Sequence, residues 1–125
     1  MVDVLKRLVA FPSYQVSSDK VEEGMKECAS FLSQSLEASG FKVEVDELFN
    51  VTGERIFDGK KSFLLNTHFD TVPPSSQWPD ANEPKLEGNR LIGLGSSDAK
   101  GGIAAILSVL SQMDSCRFGN LSFSL

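Results

Sequence analysis

The sequence predicts an α/β domain with a mixed sheet, and three observations carry that prediction. Apolar residues recur at three- and four-residue spacing between Val21 and Leu36, the mark of an amphipathic helix. Short alternating or near-continuous apolar runs at 41–45, 62–67 and 120–125 have the length and pattern of strands. A second apolar helix pattern begins after Gly101, so the order is helix, helix, strand, hairpin, helix, strand. That order suggests an α/β sandwich.

Near the start, Leu5, Leu8 and Val9 form a short apolar stripe flanked by Lys6 and Arg7. It predicts a helix from about Asp3 to Ala10, which Pro12 ends. Residues 13–18 read as a polar loop. Asp19 can cap the next helix, and Glu22 three places on completes a capping box. On that helix Val21, Met25, Cys28, Ala29, Leu32 and Leu36 share one face, and mainly charged residues fill the other. Gly40 is its natural stop, because glycine enters the left-handed conformation without a Cβ clash.

Phe41, Val43 and Val45 alternate with Lys42, Glu44 and Asp46, which predicts a strand with one buried face. Val51 to Gly53 reads as turn or loop. The apolar stretches Arg55–Phe57 and Ser62–Leu65 flank Asp58-Gly59, a hairpin signal. Phe63 to Thr67 is nearly continuous, as expected of a strand covered on both faces. Residues 73–84, rich in Pro, Ser and Asp around Trp78, predict an ordered surface loop. Lys85–Glu87 and Arg90–Ile92 flank Gly88-Asn89 and predict a small hairpin. Ile103, Ala104, Ile106, Leu107 and Leu110 mark a helix to about Met113, apolar over a broad arc and so buried between the sheet and another layer. Asn120 to Leu125 alternates as a strand, and the chain ends inside it.

With 125 residues and 41% apolar content, the chain can bury the core of one domain. No repeat or interdomain linker divides it. Formal net charge is −5, and adjacent basic pairs occur at Lys6-Arg7 and Lys60-Lys61 alone, which excludes a nucleic-acid surface. No apolar run is long enough to cross a bilayer, and Met1-Val2-Asp3-Val4 has no basic segment leading an apolar block. A cytoplasmic protein with no membrane partner is expected. Cys28 and Cys116 fall in apolar helical patterns and are expected to be reduced and buried, not a disulfide framework.

Two polar clusters carry the candidate chemistry. His68, the sole histidine, and Asp70 follow the buried strand, where α/β sheets gather their sites. One imidazole nitrogen can bind a metal or a substrate while Asp70 orients the ring through the other. The alternative is a partly buried imidazole satisfied by ordinary hydrogen bonds. Asp98 lies between Gly93-Leu94-Gly95 and Gly101-Gly102, at the start of the apolar helix. There it can cap the helix, bind a metal, or do both. Lys100 can pair with Asp98 or another carboxylate, or face solvent. A Ser97–His68–Asp70 triad is conceivable, but no Gly-x-Ser-x-Gly elbow supports it. The glycine pattern lacks the third glycine of a dinucleotide fingerprint, and Lys100-Gly101-Gly102 is not a phosphate-binding P-loop ending.

Asn66-Thr67-His68-Phe69-Asp70-Thr71-Val72-Pro73 and Gly93-Leu94-Gly95-Ser96-Ser97-Asp98-Ala99-Lys100-Gly101-Gly102, in this order and spacing, resemble the zinc-dependent M20-type aminoacylase and carboxypeptidase family. That family includes acetylornithine deacetylase and succinyl-diaminopimelate desuccinylase. The intervening segment with Trp78 and the capped helix before Gly40 fit as well. The resemblance implies a three-layer α/β/α catalytic domain. It makes His68 a ligand of one metal, Asp98 the carboxylate bridging two, and Asp70 the residue that orients His68. It implies two Zn²⁺ ions per full-length site, with Co²⁺ as a substitute. Ala99 stands where members typically carry methionine.

The family's Glu-Glu pair, which supplies the general base and a ligand, its further acidic ligand, its distal histidine and its lid or dimerisation domain do not fall within residues 1–125. The expectation is therefore an N-terminal portion of a catalytic domain, inactive alone, with an open sheet edge and exposed apolar surface. The full-length protein is expected to hydrolyse the amide bond of an N-acyl amino acid in amino-acid biosynthesis, with homodimerisation possible. The alternatives are a dipeptidase or carboxypeptidase of the same family, or a non-catalytic module that keeps the fold.

Overall fold

The computed structural model describes residues 1–14, 19–57, 61–113 and 119–125. In chain order the elements are α1 (Val2–Ala10), α2 (Asp19–Ala38), β1 (Lys42–Val45), β2 (Val51–Arg55), β3 (Ser62–Asn66), β4 (Lys85–Glu87), β5 (Arg90–Ile92), α3 (Lys100–Leu110) and β6 (Asn120–Ser124). The main sheet runs β1-β2-β6-β3, and β4 and β5 form a separate hairpin. β6 is antiparallel to β2 and parallel to β3, so the sheet is mixed. The fold is α/β with flanking helices, consistent with a three-layer α/β/α catalytic domain.

Helix α2 stops as the sequence predicts. Gly40 takes φ 81°, its N–H donates to the Glu37 carbonyl, and the Phe41 N–H donates to the Leu36 carbonyl. These are the paired bonds of a Schellman motif. Phe41 and Leu36 are both buried, closing it with an apolar contact. The capping role of the Asp19 side chain, the Asp58-Gly59 turn and Cys116 lie outside the described residues.

Residues directly opposite one another on paired strands share a sheet face. Leu121, Phe123 and Leu125 stand on one face, and all three are buried. They join Cys28, Leu32 and Leu36 of α2, Leu8 of α1, and Ile103, Ala104, Leu107 and Leu110 of α3 in one core. The opposite face carries Lys42, Glu44, Thr52, Glu54 and Ser122 with Leu64, and is largely exposed. Among the described residues the helices therefore cover one face of the sheet.

Three sequence expectations need correction. Val51 to Gly53 is not a loop but the start of β2, which pairs with β1. Its polar positions face solvent and hid the alternation. The turn between β1 and β2 is built on Asp46, whose Oδ1 accepts the Leu48 and Asn50 N–H groups, and Phe49 takes φ 66°. Next, β2 and β3 do not form a hairpin with each other, because β6 lies between them. Finally, β3 is an outer strand and is not covered on both faces: Phe63 is 45% and Leu64 64% exposed. Among the described residues β3 thus stands at an open sheet edge, as expected.

Cys28 is a free, buried thiol. Burial pushes it up to about 12, with the Lys100 ammonium pulling it partly back. Burial likewise draws Lys100 down to about 8, against the pull of Cys28. Because the native thiol holds its proton more tightly than the unfolded one, the stability this gives is complete below pH 9.0 and is lost as pH rises toward 12. Lys100 has the opposite sign: its native form sheds a proton first, so stability rises from about pH 8 to 10.5. Urea-unfolding midpoints should therefore fall above about pH 10.5, where Cys28 acts unopposed. Iodoacetamide at pH 8.5 should alkylate Cys28 roughly 10³-fold more slowly in the native than in the urea-unfolded chain, read by peptide mass spectrometry.

Candidate metal centre

β3 ends at Asn66, and the Thr67 N–H still donates to the Ser124 carbonyl. Beyond that the chain leaves the sheet. Phe69 is buried in the core and pins the loop, so its neighbours His68 and Asp70 are held at the surface of a cleft. Alternation along a continuing strand does not bring residues 68 and 70 together, since the strand has ended; the loop does.

The His68 ring sits between two carboxylates. Its Nδ1 is 3.1 Å from Asp70 Oδ1 and 3.1 Å from the Asp70 carbonyl oxygen. Both of these groups only accept, so Nδ1 carries a hydrogen and donates it. Nε2 is 3.2 Å from Asp98 Oδ1. Partial desolvation works against charge on the ring, but the bonds to the Asp70 carbonyl and to the Asp98 and Asp70 carboxylates outweigh it, and the His68 pKa stands above its ordinary 6.5.

Asp98 arrives from the glycine-rich turn. Gly95 takes φ 75°, and a Cβ there would lie 2.7 Å from Thr71 Cγ2, so only glycine lets this turn close onto the His68 loop. The Asp98–Ala99 peptide is cis. The N-cap of α3 is Ala99, with no side-chain capping bond. Asp98 is thus not the helix cap, and its side chain is 90% exposed. Together His68, Asp70 and Asp98 line a cleft of about 590 Å³ whose apolar wall includes Val72, Trp78 and Leu94. The Thr71 hydroxyl on this cleft is buried without a hydrogen-bond partner among the described residues.

Two sequence alternatives end here. The Nε2 position a serine nucleophile needs faces Asp98, and Ser97 makes no bond to His68 among the described residues. Among the described residues Lys100 pairs with no carboxylate, and it does not face solvent: it is fully buried and its Nζ donates to the Phe11 carbonyl at 2.9 Å. A signal for this was present, because Lys100, Ile103, Ala104 and Leu107 share the apolar stripe of α3. Ser13, also fully buried, had no such signal.

The fold is shared with solved structures. The chain superposes on human carnosine dipeptidase 1 with a TM-score of 0.84 at 20% identity, over 98% of this chain and 30% of that one. An M20 family metallo-carboxypeptidase from Sulfolobus solfataricus gives 0.79 at 22%, over 98% and 29%. The architecture is that of part of each of these chains. Sequence carries the assignment further. The model of peptidase family M20/M25/M40 matches residues 64–124. Succinyl-diaminopimelate desuccinylase of Wolinella succinogenes is 30% identical over 91% of this chain, and acetylornithine deacetylase of Pectobacterium carotovorum is 31% identical over 90%. The chain belongs to the M20/M25/M40 peptidase family, a family of hydrolases. It spans about 30% of the length of these relatives. Among the described residues no helix is long and apolar enough to cross a membrane.

Family membership suggests metal dependence. The donor set fits part of such a site: an imidazole nitrogen and a carboxylate oxygen converge from separate loops, with the far ring nitrogen already held. Among the described residues no group of three His, Cys, Asp or Glu gathers to complete it.

Because His68 is the sole histidine, its titration is directly readable by ring ¹⁵N NMR. The metal-free midpoint should lie above 6.5 and fall toward it in Asp98→Asn. The sign for stability follows: what the charged ring contributes is complete below 6.5 and is lost as pH rises through the native value.

Proposed function

We propose that this chain supplies one side of a metal centre that hydrolyses an amide bond in a small amino-acid-derived substrate. The observation that carries the reading is the His68 Nε2–Asp98 Oδ1 approach at 3.2 Å. With Nδ1 protonated toward Asp70, the Nε2 lone pair faces a carboxylate, and two acceptors at that distance need a cation between them. A proton meets that need in the metal-free chain, and a bound zinc or cobalt ion would meet it in the working site. His68 Nε2 and the Asp98 carboxylate hold the metal, and Asp70 fixes the ring. A bound zinc ion would supply Lewis-acid polarisation of the scissile carbonyl and lower the pKa of a water. The cleft beside the pair receives the substrate, with Trp78 and Val72 as its apolar side. The reading assigns the remaining ligands and the general base to sequence beyond these 125 residues, in keeping with a chain that spans about 30% of its relatives.

Of the finer readings, cleavage of a dipeptide or of a C-terminal residue stands first, supported by the peptidase-family match. Removal of an N-acyl group from an amino acid stands second, supported by the two deacylating relatives. A protein of the relatives' length carrying this chain should hydrolyse dipeptides in a zinc- or cobalt-dependent way. N-acetylornithine and N-succinyl-diaminopimelate test the second reading in the same screen. His68→Ala should lower kcat/KM by more than the roughly 10–100-fold that losing an orienting partner such as Asp70 produces. No hydrolysis of any of these amides, with metal present, leaves a non-catalytic module. The 125-residue chain itself should bind zinc only weakly; nanomolar binding by calorimetry, lost in His68→Ala, would contradict that.

A further inference from the structure

Among the described residues two polar or charged side chains are buried, Ser13 and Lys100, each at 0% exposure. Both meet at residues 11–13: Lys100 reaches into this segment, and Ser13 reaches out from it. Lys100 Nζ donates to the Phe11 carbonyl at 2.9 Å. Ser13 Oγ donates to the Phe69 carbonyl at 2.7 Å, and the Ser13 carbonyl accepts the Thr71 N–H at 2.7 Å. Asn82 adds a third tie, its Nδ2 donating to the Val9 carbonyl at 3.1 Å.

The chemistry of this segment explains the choice of partners. Val9 and Phe11 lie at the C-terminal end of α1, where helix carbonyls lack intrahelical donors and the dipole favours a cation. An ammonium placed there offsets part of its burial cost. A methionine would fill a similar volume with no charge to bury, so packing alone does not call for lysine.

The two ties have different destinations. Lys100 lies two residues after Asp98, and its backbone N–H donates to the Gly95 carbonyl, closing the Asp98 turn. Ser13 grips residues 69 and 71, on either side of Asp70 and next to His68. Each loop that bears a candidate ligand is thus fastened separately to residues 11–13. We propose that Lys100 and Ser13 are positioning residues, and that residues 11–13 are the shared anchor that sets the His68–Asp98 distance. This inference rests on the metal-centre reading above for its functional meaning.

The test reads the His68 ring ¹⁵N shifts in the 125-residue chain at fixed pH, first metal-free and then during titration with zinc alone. Lys100→Met and Ser13→Ala should each shift the metal-free ring signals and weaken zinc binding by about 10–100-fold, the usual effect of losing an orienting partner. Lys100→Arg, which keeps the cation, should recover part of the affinity. A merely structural role would lower the urea midpoint and leave both the ring shifts and the zinc affinity of the folded protein unchanged; that result overturns the proposal. If Lys100→Met does not fold, Ser13→Ala decides: unchanged ring shifts overturn the anchor and displaced ones support it. If the wild-type ring does not respond to zinc, the metal-free ring shifts alone judge the anchor, and the hydrolysis screen on a protein of the relatives' length judges the metal-centre reading.

Discussion

An imidazole held between two carboxylates is a charge arrangement that requires a cation. The His68 ring donates from Nδ1 to Asp70 and presents Nε2 to Asp98 at 3.2 Å. Without a positive charge on or beside the ring, that second contact is repulsive. The raised pKa of His68 is the metal-free form of the same requirement. In the proposed metal centre a proton and a metal ion would compete for one position. The acid–base behaviour of the ring would there be linked to its role as a ligand.

The fold meets this requirement through one parallel strand pair. Parallel neighbours cannot be joined by a tight turn and need a long crossover. Between β3 and β6 the chain passes through the Trp78 loop, the β4–β5 hairpin and α3. His68 leaves the carboxyl end of β3, and Asp98 stands just before α3, so the crossover begins with one candidate ligand and enters its helix with the other. The buried stripe of α3 then fixes the second against the core. The same α3 stripe carries Lys100, so the element that closes the core also fastens the site.

Much of this was legible in sequence. The helices were written in three- and four-residue spacing, Gly40 as a stop signal, and the candidate pair in two motifs whose combination resembles a known family. What was not legible was partnership. Val51 to Gly53 reads as turn or loop because Thr52 faces solvent and Gly53 contributes no side chain. Asp58-Gly59 suggested a local hairpin, yet β2 takes a partner almost seventy residues away, with Gly53 opposite Phe123. Nothing local in either strand encodes that choice. The apolar run of β3 implied two covered faces, but in this chain it is an outer strand with Leu64 exposed. Side-chain destination was hidden at Ser13, which looked like loop polarity; Lys100 read as an ion-pair partner or a solvent-facing charge, although its place on the α3 stripe carried the signal of burial.

Those last two residues show where burial and function part company. A core built for stability alone has no use for an ammonium drawn down to about 8 or a hydroxyl at zero exposure. Each is tolerated because a backbone carbonyl is in reach: that of Phe11 for Lys100, and that of Phe69 for Ser13, which itself belongs to the segment between α1 and α2. The candidate ligands themselves are exposed, Asp98 almost completely, and exposed side chains do not hold a distance by packing. Order at the cleft must then come from beneath it. Phe69 in the core, Gly95 against Thr71, and the two buried polar ties are the contacts that supply it. The surface chemistry is open to solvent and substrate because the rigidity has been placed one layer below.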